Sequence, residues 1–287
     1  MNYSKIIAGT MSWGSWGKGL STQEMCALIL HYLDCGITTF DHADIYGGYT
    51  TEAAFGKAFT QSGVSRESVQ FITKCGILYP SEKRVYSIKH YNYSASYIIQ
   101  CVETSLQQLQ TDYIDTLLLH RPSPLLNPEE VMRAVDSLQQ QGKIKAFGVS
   151  NFSPSQVDVL AKEVPVLVNQ VACSVTDYGV LFDGTLDQCM VRRITPMAWS
   201  PLGSLFKDPS AQTSRLHEAM TPLESRYAAT KDQLALAWLL KHPSGIHPVI
   251  GTTNRKRIHL ASLAPEIDLA LADWFSLLVA SQGHKVP

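Results

Sequence analysis

Eight short apolar segments recur along the chain, and the stretches between them are patterned as amphipathic helices. They cover residues 6–9, 38–41, 69–74, 114–119, 146–149, 166–169, 195–199 and 248–250. Each is only a few residues long and partly β-branched, as strands of a parallel sheet buried on both faces should be. Helix-start chemistry fills the gaps. Ser21-Thr22-Gln23-Glu24 reads as a capping box ahead of an apolar face made by Met25, Leu28, Ile29, Tyr32 and Leu33. Asn127-Pro128 and Ser153-Pro154 each offer a cap followed by proline in the first turn, and Thr230 opens a further helix. Eight strands alternating with helices, with no linker or low-complexity stretch between them, predict one α/β domain over residues 1–287. The architecture expected is a (β/α)8 TIM barrel. The competing architecture, an open doubly wound sheet, lacks its G-x-G-x-x-G after the first strand. Gly14, Gly17 and Gly19 come near that pattern but are interrupted by Trp13, Trp16 and Lys18 and read as a loop.

Composition narrows the partners. Lys and Arg number 24 against 25 Asp and Glu, so charge gives no case for nucleic acid or an anionic membrane. No apolar run is long enough to span a bilayer and no signal peptide is visible at the start. Six scattered cysteines show neither C-x-x-C nor zinc spacing, which fits reduced thiols in a cytoplasmic protein. Nothing in the sequence speaks to oligomeric state.

In a (β/α)8 barrel the chemistry gathers at the carboxyl ends of the strands. Those ends read Asp41, Lys74, His120, Ser150-Asn151, Gln170, Trp199-Ser200 and Gly251-Thr252-Thr253. Taken one at a time they have plain explanations. Asp41 could cap a helix, Lys74 could be solvated, His120 and Trp199 could be core residues, and Tyr46 a packed loop aromatic. Their combination resembles the aldo-keto reductase superfamily. The run from Asp41 to Tyr46-Gly47, the strand end Thr73-Lys74 and the sequence Leu117-Leu118-Leu119-His120-Arg121-Pro122 all match its motifs. Gly148-Val149-Ser150-Asn151-Phe152, Asn169-Gln170, Ala198-Trp199-Ser200-Pro201-Leu202-Gly203 and Val249-Ile250-Gly251-Thr252 follow in family order, so the match spans essentially the whole chain. Within the superfamily, Asp-His-Ala-Asp-Ile-Tyr-Gly-Gly-Tyr and His-Arg-Pro-Ser-Pro look most similar to the YdhF-type bacterial oxidoreductases.

The resemblance implies an NADPH-dependent reductase of a small-molecule aldehyde or ketone, with Asp41, Tyr46, Lys74 and His120 as the catalytic tetrad. Its physical logic is direct. A free tyrosine, with a pKa near ~10, is a weak acid at neutral pH. A cation at Lys74 would stabilise the phenolate and lower that value, Asp41 would hold the lysine charged, and His120 would polarise the carbonyl oxygen. By the same resemblance Ser150, Asn151 and Gln170 hold the nicotinamide carboxamide, and Trp199 stacks on its ring. Ser200, Pro201, Leu202, Gly203 and Ser204 cover the pyrophosphate. Gly251, Thr252, Thr253 and Arg257 form the 2′-phosphate end, so NADPH is expected over NADH, with NADH as a possible substitute.

Two departures from the family pattern stand out. Gly251 replaces a common lysine, and Leu260-Ala261 replaces a Glu-Asn pair. The first strand also begins too early for an amino-terminal hairpin, leaving residues 1–4 or a second subunit to close the barrel. Trp13, Tyr49, Tyr91 and Phe206 are the expected substrate walls, with Trp16, Tyr79, Tyr86 and Tyr93 in the same segments. Lys83, Arg84, Lys89, His90 and Arg121 point either to an anionic carbonyl compound or, more plainly, to a solvated basic loop. His42 and Asp44 suggest metal ligands by type, but no partner set accompanies them and no metal is expected. A non-catalytic nicotinamide-sensing subunit is the alternative function.

Overall fold

The eight apolar segments become eight parallel strands that close on themselves in the computed structural model, which describes residues 3–207 and 209–287. The barrel strands are β1 (Ile7–Gly9), β2 (Thr39–Asp41), β3 (Gln70–Cys75), β6 (Ile114–Leu119), β7 (Ile144–Ser150), β8 (Val168–Ala172), β9 (Thr195–Trp199) and β10 (His247–Ile250). Around the barrel the order is β1-β10-β9-β8-β7-β6-β3-β2, with β2 returning to β1. Two further strands, β4 (Ile77–Leu78) and β5 (His90–Tyr91), pair antiparallel in the loop after β3. This hairpin has no counterpart in the sequence reading, because two-residue strands show no measurable alternation.

The helices that pack outside are α1 (Thr22–Asp34), α2 (Thr51–Ser62), α3 (Ala95–Leu109), α4 (Pro128–Gln140), α5 (Pro154–Leu160), α6 (Thr185–Arg192), α7 (Ala211–Tyr227), α8 (Lys231–Leu240), α9 (Arg255–Leu263) and α10 (Leu271–Gln282). Ser21 and Ser153 form capping boxes as expected, and Asn127 caps α4 through its side chain. Each such cap is worth about 1 kcal/mol and fixes where the chain leaves a strand.

Ile7, Ile72, Leu118, Val168, Met197 and Val249, one from each of six strands, fill the lumen. The barrel is therefore a packed core, as its geometry requires. Tyr3 packs beneath this layer and its hydroxyl meets Thr116 Oγ1 at 2.6 Å. Ser4 exchanges hydrogen bonds with Thr39, and its carbonyl lies 2.9 Å from His247 Nδ1. Tyr3 and Ser4 thus cover the opening at the amino ends of the strands; Met1 and Asn2, named with them as candidates, lie outside the described residues. At the same end Arg66 reaches Asp115 Oδ2 at 2.7 Å, between the rings of Phe71 and Tyr113. No described helix is long and apolar enough to cross a membrane.

Candidate active site

Three strands that are neighbours in the barrel, β2, β3 and β6, deliver Asp41, Lys74 and His120 to the same floor. Tyr46 arrives differently. After β2 the chain turns, and Gly47, Gly48 and Tyr49 all take left-handed backbone conformations before α2 begins. A Cβ on Gly47 would come within 2.5 Å of Thr51 Oγ1 and 2.7 Å of Thr50 Oγ1, so only glycine fits. That turn leaves the Tyr46 hydroxyl 3.3 Å from Lys74 Nζ.

Lys74 is buried at the centre of the cluster. Its ammonium donates to both Asp41 carboxylate oxygens and to the His42 carbonyl, each at 2.7 Å. Gln170 on β8 donates from Nε2 to Asp41 Oδ1 at 2.9 Å, across the barrel from β2. The His120 ring lies 6.0 Å from the Tyr46 ring, nearly perpendicular to it, and its Nδ1 has no hydrogen-bond partner among the described residues.

Burial and charge act against each other here. Burial would drive the Lys74 ammonium down, but Asp41 and Tyr46 outweigh it and hold the lysine above its ordinary value. Burial, then Lys74, Arg121 and Lys89, push His120 well below the usual histidine range, so the imidazole is neutral at pH 7. For Tyr46 the expected direction is corrected. Lys74 does pull the phenol down, but burial is the larger effect and leaves it above its ordinary value.

Behind the cluster, His42 sits against Phe55 with Nδ1 2.9 Å from Thr10 Oγ1 and Nε2 unpartnered. Asp44 is buried with neither oxygen in a well-formed hydrogen bond, and burial, Cys101 and Glu52 push its carboxyl well above the usual range. Among the described residues no three His, Cys, Asp or Glu side chains converge as metal ligands.

A cavity of about 600 Å³ opens above this floor. Its wall includes Asp41, Tyr46, His120, Ser150, Asn151, Gln170 and Trp199, followed by Ser200, Pro201, Leu202, Gly203, Gly251, Thr252 and Arg257. Asn151 accepts from Trp199 Nε1 at 2.9 Å and donates to Ser150 Oγ at 2.7 Å, so one chain of hydrogen bonds links the three side chains. Ser204 and Thr253 stand off the wall; Ser204 donates its backbone N–H to Thr176 Oγ1 instead.

The four expected substrate walls are all displaced from it. Trp13 is wholly buried among Tyr32, Phe40 and Phe55. Tyr49 is buried beneath the loop, donating to the Ile77 carbonyl. Tyr91 lies on β5 and Phe206 packs on His217, both exposed and neither among the residues that line the cavity. Trp16 takes the place given to Trp13. It lines the cavity and meets Tyr79 edge-on at 5.3 Å. Met11, Ser12, Ile45, Ile77, Lys207 and Asp232 are among the wall residues that the sequence did not assign to it, and Lys89 and Arg121, weighed there for an anionic carbonyl compound, line it as well.

The model of the aldo/keto reductase family matches residues 5–265. The chain belongs to that family. Oxidoreductase YdhF of Escherichia coli is 39% identical, with the alignment covering 99% of this chain and 96% of YdhF. A 6-dehydroglucose reductase of Agrobacterium fabrum is 37% identical, over 98% of this chain and 97% of its own. Among solved structures, an aldo/keto reductase from Klebsiella pneumoniae in complex with NADP and acetate superposes with a TM-score of 0.79 at 25% identity. That superposition covers 96% of this chain and 90% of the Klebsiella chain. In this aldo/keto reductase the resemblance to the YdhF-type branch therefore extends over the full described barrel.

Proposed function

We propose that this aldo/keto reductase reduces an aldehyde or ketone to an alcohol, with Tyr46 as the proton donor. The observation that carries the reading is Lys74 Nζ, doubly bonded to Asp41 and 3.3 Å from the Tyr46 hydroxyl on the cavity floor. Because burial holds the phenol above its ordinary value, Tyr46 stays protonated at neutral pH, which is the state a donor needs. Lys74 then stabilises the phenolate left behind, and Asp41 keeps the lysine charged. Neutral His120 donates a hydrogen bond to the carbonyl oxygen, where negative charge develops.

NADPH is the cofactor proposed, and when bound it supplies the hydride. The residues present fit such a dinucleotide. The cavity runs from Tyr46 past Trp199 to Arg257 and Ala261 at α9, and a Cβ at Gly251 would meet nothing within 4 Å. Asn151 and Ser200 hold left-handed backbone conformations at the strand ends beside it, a strain found mostly at functional sites. Ser150, Asn151 and Gln170 would hold the carboxamide, Trp199 would offer its ring face, and residues 200–203 would follow the pyrophosphate. Arg257 at the start of α9, whose side chain has no ion-pair partner among the described residues, would take the 2′-phosphate. The NADP complex of the Klebsiella relative supports the same choice. The compartment we propose is the cytoplasm, which the six unpaired thiols support.

NADPH oxidation screened against a panel of aldehydes and ketones tests the reading. We expect turnover with at least one carbonyl, and a KM for NADPH more than about twofold below that for NADH. No oxidation above background across the panel would refute the reductase, and equal KM values would refute the cofactor preference.

A further inference from the structure

Beside His120 the cavity wall carries two cations that no acid answers. Arg121 and Lys89 both line it, and among the described residues neither side chain forms an ion pair or a hydrogen bond. The acids on the same wall are engaged or placed elsewhere. Asp41 is bound by Lys74 and Gln170, and Asp232 belongs to the first turn of α8, which packs on α9.

Arg121 is also held in place. The buried Tyr93 hydroxyl donates to its carbonyl at 2.5 Å and accepts from its N–H at 3.2 Å, so the backbone after β6 is clamped from below. The guanidinium lies 5.4 Å from the Trp199 ring centroid, half-buried and facing the cavity. A positioned, partly desolvated arginine without a counter-ion is costly in the empty protein. An anion delivered by the substrate removes that cost, and a guanidinium binds carboxylate or phosphate in a bidentate fork. The other nearby walls, Trp16, Ile45, Ile77 and Met11, are apolar and suit a short carbon skeleton between the carbonyl and the anion.

We propose that the substrate of this site is a carbonyl compound bearing an anionic group, carboxylate or phosphate. Arg121 binds that group directly and Lys89 adds its charge at the rim. The inference rests on the reductase reading and narrows it. Two matched pairs test it with NADPH as the reductant: succinic semialdehyde against butanal, and glyceraldehyde 3-phosphate against glyceraldehyde. We expect the charged member of at least one pair to be favoured by at least about tenfold in kcat/KM. The pair that shows it distinguishes carboxylate from phosphate. Arg121→Gln should remove most of the advantage through KM, and Arg121→Lys should keep more of it.

An advantage below tenfold in both pairs overturns the assignment, as does one that Arg121→Gln leaves more than half intact. Equal losses for charged and neutral members also overturn it, because they would make Arg121 an aid to charge developing on the reacting oxygen. If the neutral aldehydes turn over without charge preference, the anion site alone fails. If none of the four is reduced while another carbonyl of the panel is, the anion site alone fails; if nothing in the panel is reduced, the reductase reading fails and takes this one with it.

Discussion

Two buried ion pairs sit at opposite ends of the barrel and do different work. At the amino ends, the Arg66 guanidinium donates to Asp115, Thr111 Oγ1 and the carbonyls of Val69 and Tyr113, with aromatic rings 4.0 Å away on both Phe71 and Tyr113. Asp115 in turn accepts from the Phe71 N–H and Lys145. That pair is closed on itself. At the carboxyl ends, Lys74 and Asp41 are more deeply buried, yet the cluster stays open. The Tyr46 contact is the longest the lysine makes, and His42 Nε2, His120 Nδ1 and the Asp44 carboxylate lack well-formed hydrogen bonds. Buried polar groups are normally satisfied, so unsatisfied ones concentrated at one end mark where free energy is held for use rather than for stability.

Substitutions can break this contrast, beginning with the most severe. Tyr46→Phe removes the proposed acid and should lower kcat by about 10²–10⁴-fold while leaving NADPH affinity within about twofold. A kcat near wild type in stopped-flow or steady-state assays would reject Tyr46 as donor. Arg66→Met should cost about 3–5 kcal/mol of stability in urea unfolding, because Asp115 is left buried without its main partner. Its kcat should stay within about twofold. Lys74→Met should cost a similar amount and in addition lower kcat by about 10²-fold. If both variants lost stability and activity in equal measure, the division of labour between the two ends would be refuted.

Acid provides a gentler probe. His42 and His120 both lie well below the usual histidine value, first because of burial and then because of Lys74. Between about 6.5 and the lower folded values the unfolded chain binds more protons, so stability is lost as pH falls through that window. The slope should approach about 1.4 kcal/mol per pH unit for each histidine, and His42→Phe should remove one histidine's share. Urea midpoints measured between pH 7 and 5 would show it. Asp44 and Glu52, raised chiefly by burial, run the other way: their contribution is complete below the ordinary carboxylate range and is lost as pH rises from there through their folded values. An identical pH 7–5 slope in wild type and His42→Phe would contradict the histidine assignment. The smallest effect is at the far end of the cavity. Arg257→Ala should raise the KM for NADPH about tenfold and barely alter that for NADH.

Much of this was legible in the residues, for reasons that also explain the gaps. Asp41, Lys74 and His120 could be placed together because each interrupts or ends an apolar run, and parallel strands bring such endings to one face. Trp13 and Trp16 could not be told apart, since only two residues separate them in a loop without periodicity. One became core and the other wall. Tyr46 was set apart from Tyr49 by its motif, but the burial of Tyr49 follows from the left-handed run at residues 47–49, which turns one ring toward Lys74 and the other beneath the loop. The direction of the Tyr46 shift was misjudged because a nearby cation is visible in sequence, whereas the depth of burial is not.

The packed lumen also governs traffic. With Ile72, Leu118, Val168 and Met197 meeting inside the barrel and Tyr3 packed beneath them, the filled lumen separates the cavity from the amino end of the barrel. A ligand that reaches the floor at Tyr46 therefore comes and goes on the carboxyl side, where the loops rather than the strands set its path.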